Sequence, residues 1–118
     1  MAAAKLKLVV EQGATFEKVI TWKAGTPAVP VSLVGCTARM HVRNEISDPV
    51  TLLDLTTENG GITLGGALGT ITLTLSATAT AALTWATGIY DLEIVYSDGR
   101  VRRLLAGVVS ISPEVTRA

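Results

Sequence analysis

Tyr90-Asp91-Leu92-Glu93-Ile94-Val95-Tyr96-Ser97-Asp98-Gly99-Arg100-Val101-Arg102-Arg103-Leu104-Leu105 is the stretch that decides the fold class. Tyr90, Leu92, Ile94 and Tyr96 recur with period two against Asp91, Glu93 and Val95, the signature of a strand with one dry face. Asp98-Gly99 then joins this run to a second one, Arg100 to Ile111, and the pair predicts a hairpin with a type I′ turn. Gly107 interrupts the second run and marks an expected bulge.

The same period extends in both directions. Cys36, Ala38, Met40 and Val42 alternate with Thr37, Arg39, His41 and Arg43, and Ile71, Leu73 and Leu75 alternate with threonines between Thr70 and Leu75. Lys5 to Val10 places lysines and leucines on opposite sides. Thr15 to Lys23 alternates less regularly and predicts a bulge or a strand buried in part on both faces. Val50 to Leu55 and Ile62 to Leu64 are short further strands, separated by Glu58-Asn59-Gly60-Gly61 and followed by Gly65-Gly66 to Gly69, turn sequences in both cases. Ser76 is placed to cap one or two helical turns starting at Ala77. The expected architecture is all-β: a two-sheet antiparallel β-sandwich of about eight short strands with one short helix near residues 77–84, a small closed barrel being the alternative. Residues 1–118 form one domain, large enough for an unstapled core.

Composition agrees. Thr, Val and Ile supply 36 of the 118 residues, and these β-branched types favour pleated surfaces. Ten basic side chains balance ten acidic ones, which argues against nucleic acid as a partner. Mean hydropathy is +0.45, yet no apolar run approaches the length of a spanning helix, so no membrane partner is expected. Lys7 interrupts the apolar run near the start, which lacks the continuous core of a secretory signal. One cysteine and one histidine assemble neither a disulfide nor a metal site, and no cofactor motif occurs.

No catalytic constellation emerges. His41 lies between Arg39 and Arg43, without the nucleophile a general base would serve. Asp91 and Glu93 share a strand face, as solubility requires. Cys36 reads as a small core residue. Arg100, Arg102, Arg103, Arg39 and Arg43 suit cross-strand pairing with Asp91 and Glu93, or a docking edge for an acidic protein surface. The segment Thr26 to Leu33 holds two prolines among Ala28, Val29, Val31 and Leu33. These four, with Arg100 and Arg102 as orienting charges, are the expected interface, joined by one of the chain ends, Met1 to Lys5 or Pro113 to Ala118.

Gln12-Gly13-Ala14-Thr15-Phe16, Gly35-Cys-Thr-Ala-Arg-Met-His-Val-Arg43, Leu55-Thr-Thr-Glu-Asn-Gly-Gly-Ile62, Tyr90-Asp-Leu-Glu93, Arg103-Leu-Leu-Ala-Gly107 and Ser112-Pro-Glu-Val-Thr-Arg117 resemble a small protein encoded among the structural genes of tailed bacteriophages and prophages. More loosely, the chain resembles the β-sandwich amino-terminal domains of phage baseplate upper proteins. The family carries Asp-Leu-Thr-Gly-Tyr where this chain has Ser32-Leu33-Val34-Gly35-Cys36, so a large aromatic is missing from local packing. The resemblance implies a non-enzymatic virion component without cofactor, made in the host cytoplasm and assembled in several copies. It would act as a capsid decoration (cement) protein or a tail or fibre-attachment component. Its partners would be capsid or tail subunits and further copies of itself. A soluble ligand- or glycan-recognition sandwich is the alternative, although aromatics are only 4% of the chain and would have to build its platform.

Overall fold

Alternation fixes which side of each strand is dry, and the dry sides then have to meet. In the computed structural model, which describes residues 3–116, half of the chain is in strands and one short helix is present. The elements are β1 (Ala4–Lys5), β2 (Leu8–Glu11), β3 (Phe16–Thr21), β4 (Lys23–Ala24), β5 (Val29–Pro30), β6 (Thr37–Arg43), β7 (Leu53–Thr56), β8 (Ile62–Leu64), β9 (Thr70–Leu75), α1 (Ala77–Ala81), β10 (Thr87–Val95) and β11 (Val101–Ser112). The count exceeds the expected eight because two-residue strands flank the longer ones.

The larger sheet runs β1-β11-β10-β6-β7, with β2 also on β11. The smaller one is β3-β9-β8, and β4 and β5 form a separate ribbon. Leu8, Val10, Met40, Val42, Leu55, Leu92, Ile94, Leu105 and Val109 from the large sheet share one buried cluster with Ile62, Ile71, Leu73 and Leu75 from the small one. That is the sandwich core. β6, β9 and β10 bury every second residue as their sequences require. Ser76 caps α1, accepting a hydrogen bond from the Ala79 amide at 3.1 Å.

Not all the pairing is antiparallel. β1 and β2 lie parallel to β11 in one register, Ala4 opposite Leu105 and Leu8 opposite Val109, so they are a single strand interrupted at Leu6 and Lys7. The interruption faces Gly107. A Cβ there would collide with the Leu6 carbonyl oxygen, and that oxygen instead accepts a 2.6 Å hydrogen bond from the Tyr90 hydroxyl. Gly107 is therefore not the expected bulge. It stays in register opposite Tyr90, and the extra residue is Leu104, where the ladder shifts between Leu92 and Glu93. Nor does β3 bulge, since Phe16–Thr21 pairs with β9 without a shift.

The tip of the β10–β11 hairpin also departs from expectation. Every positive φ among the described residues belongs to a glycine, so Asp98 cannot take the left-handed first position of a type I′ turn. Gly99 donates to Tyr96 O at 2.9 Å and has φ +91°, while Tyr96 donates to Arg100 O at 2.8 Å. This is a three-residue loop in which a type I turn precedes a left-handed glycine. Asp98 Oδ1 accepts from the Arg100 amide at 3.0 Å, an additional bond that favours the observed turn.

Three expectations follow. Gly99→Val forces a β-branched residue to a positive φ and should lower stability by about 1 kcal/mol or more, measured by thermal denaturation. Tyr90→Phe leaves the Leu6 carbonyl without its donor and should cost about 1–2 kcal/mol in urea unfolding. Burial pushes the Tyr90 phenol up to about 12. A raised folded-state value means the neutral form is the stable one. Its contribution is intact below the unfolded value of about 10, and should fade between about pH 10 and about pH 12. Stability titrated across that window should fall more steeply in the wild type than in Tyr90→Phe.

Candidate interaction surface

The apolar segment expected as an interface divides between surface and core. Ala28 is exposed in the β4–β5 turn, Val29 is 57% exposed, and Val31 is half-buried with its amide donating to Trp22 O at 2.9 Å. Leu33 is a correction. It is 1% exposed and belongs to the core, because its amide donates to Gly66 O at 2.9 Å and draws the chain inward. Two residues outside the expected set are exposed on the segments that this bond joins: Val34, 72% exposed, and Leu68, 67% exposed on the 3-10 turn Gly66–Leu68. Val34 was hidden from sequence reading because only long-range pairing decides which of Leu33 and Val34 turns inward.

The chain ends are better anchored than expected. β1 pairs with β11, and the Glu114 amide donates to Gln12 Oε1 at 3.0 Å. Residues 1–2 and 117–118, part of the same expectation, lie outside the described residues.

The arginines are engaged within the chain. Arg39 Nε donates to Glu93 Oε1 at 2.7 Å, and Arg103 Nε lies 3.3 Å from Asp91 Oδ2. Arg100 pairs with Asp98 at 2.8 Å and stacks 4.8 Å above the Tyr96 ring, and Arg102 stacks 5.0 Å from the Trp22 ring. The Arg100 amide, with the Arg100 side chain as a further contributor, holds the Asp98 carboxyl below its ordinary value. Such exposed pairs contribute little stability each. They fix where the charges stand.

His41 sits in this array with both ring nitrogens occupied. Arg43 Nη2 lies 3.2 Å from Nδ1, and Nε2 lies 3.4 Å from Asp54 Oδ1. The histidine is thus a cross-strand link between β6 and β7, where His41 and Asp54 are register partners. No group of three potential metal ligands occurs among the described residues. No helix among them is long and apolar enough to cross a membrane.

A second surface was not legible in the sequence. The large sheet carries a groove of about 810 Å³, with Lys5 and Lys7 at one side, Ile46 at the other, and Ile89 and Val108 among its lining residues. It joins residues from four separated stretches of the chain, 5–7, 41–46, 89–93 and 103–108, so no local pattern announces it. Compared with known proteins, the sequence matches no protein-family model and is similar to no curated protein.

Proposed function

We propose that the chain is a non-enzymatic structural subunit of a bacteriophage virion, present in several copies as a capsid decoration protein or a tail or fibre-attachment component. The sequence resemblance motivates this reading, and one structural observation supports it: aliphatic side chains are left exposed, Val29 on the β4–β5 ribbon and Val34 and Leu68 on the segments joined by the Leu33–Gly66 bond. Exposed aliphatic side chains grouped in this way favour coverage by another protein surface. Repetition by symmetry lets small contacts of this kind act together.

A glycan-recognition sandwich would need open aromatic faces. Tyr90 is buried, and arginines stack on Tyr96 and Trp22, so these rings form no free platform.

Mass spectrometry of gradient-purified particles, compared with separated heads and tails, should find the chain at a fixed stoichiometry in one fraction. Abundance in lysate with absence from particles would overturn the proposal. The double variant Val29→Asp, Val34→Asp should keep its melting temperature, since both residues are exposed, yet fail to incorporate, because burying unpaired carboxylates in an apolar contact is costly.

A further inference from the structure

Strand register sets the side chains of the groove in rows across the large sheet. β1 and β2 keep one offset against β11, so Lys7, which precedes the partner of Val109, stands beside Val108. Val108 pairs with Ile89, and Ile89 pairs with Arg43. One row therefore reads Lys7, Val108, Ile89, Arg43, with a cation at each end of two aliphatic residues, and all four line the groove. Three inter-strand spacings, about 14 Å in all, separate its ends. On the Arg43 side Ile46 stands 88% exposed and extends the apolar surface.

The charge left uncompensated in the groove is positive. Its floor carboxylates are engaged, Asp91 by Arg103 and Glu93 by Arg39. Lys5 and Lys7 make no ion pair among the described residues, and the Arg43 guanidinium reaches the Asp48 carbonyl and His41 but no carboxylate. An extended chain sends residues i, i+2 and i+4 to one side, and four residue rises span about 13 Å. Carboxylates at i and i+4 thus match the two ends of the row, and an aliphatic side chain at i+2 falls over Val108 and Ile89. Nucleic acid fits the groove less well, because the one tyrosine lining it is buried and offers no base a stacking face, while two carboxylates stand in the floor.

We infer that the groove docks an extended acidic segment of another protein, one with acidic residues four positions apart and an aliphatic residue midway, whose carboxylates meet Lys7 and Arg43 and whose aliphatic side chain covers Val108 and Ile89. Lys5, on the same rim as Lys7, adds to the attraction. Charges at the rims steer and orient the segment, and apolar burial at the centre retains it. The inference goes beyond the assignment of the chain to a virion and does not depend on it.

Titration of the isotope-labelled full chain with the peptide acetyl-Gly-Glu-Thr-Leu-Thr-Glu-Gly-amide, followed by amide chemical shifts in low salt, tests it. Saturable shifts should centre on Ile89, Val108 and Arg43, with a dissociation constant of about 1 mM or below. Replacing both peptide glutamates by glutamine, or moving the second one residue closer to the first, should weaken binding at least fivefold. Lys7→Glu, at an exposed site, should keep the wild-type melting temperature and weaken binding at least fivefold, and Arg43→Gln, checked for folding in the same way, should do likewise. The inference is overturned by a peptide that gives no saturable shifts, by a glutamine peptide that binds as tightly, or by a folded Lys7→Glu chain that binds normally. Tighter binding of oligothymidylate or of phosphatidylglycerol vesicles at the same residues overturns it too, since the occupant would then be a nucleic acid or a membrane. Failure of the virion assignment would appear in the particle mass spectrometry and would leave this titration unchanged, so the two readings fail separately.

Discussion

The structure depends on a backbone carbonyl passing over a residue that has no side chain. Where Gly107 leaves space, the Leu6 carbonyl approaches β11 and receives the Tyr90 hydroxyl, while Leu6 N donates to Ala106 O at 3.1 Å. A buried carbonyl is costly without a donor, and a phenol projecting from the neighbouring strand supplies one at the point where the ladder is interrupted. The N-terminal strand is thereby fixed in parallel register on β11. Leu8 and Val10 enter the core on its side of the sheet, and without that register both would lie on an open edge.

A similar economy governs the other polar groups. Thr80, the one fully buried polar side chain among the described residues, accepts from the Gly13 amide at 3.1 Å and donates to Ala14 O at 2.8 Å, tying α1 to the turn before β3. Asn59 Oδ1 accepts from the amides of Thr56 and Gly61, holding the turn between β7 and β8. No buried side-chain nitrogen or oxygen among the described residues lacks a partner. Satisfied polar groups and a single shared core leave the sandwich few alternative packings.

Much of this was legible because strand alternation is a local code. The inward residues of β6, β9 and β10, the Ser76 cap and the reversal at Gly99 could each be read from a few neighbouring letters. The turn type at Asp98-Gly99 was misread locally, but the other misreadings share one cause, contacts distant in sequence. Gly107 resembles a bulge until Leu6, distant in sequence, is placed above it, and Leu104 gives no sign that it is the extra residue. Leu33 looks like part of an exposed proline-rich loop until its amide finds Gly66. The groove depends on β1, β11, β10 and β6 standing in that order, and of these adjacencies sequence patterning announces only the β10–β11 hairpin.

The parallel seating of β1 and β2 on β11 also orders events during synthesis. Among the described residues their sheet partner is β11, which is synthesised after every strand between, so the apolar side of Leu8–Glu11 has no sheet to join while the intervening strands emerge. Loop-closure entropy favours the local β6–β7, β8–β9 and β10–β11 pairings first, with β1 and β2 joining β11 as a late step. Until then the outer edge of β11 is an open template for strands of other chains. A chain that lacked β1 and β2 would expose that edge permanently, and aggregation is its expected fate.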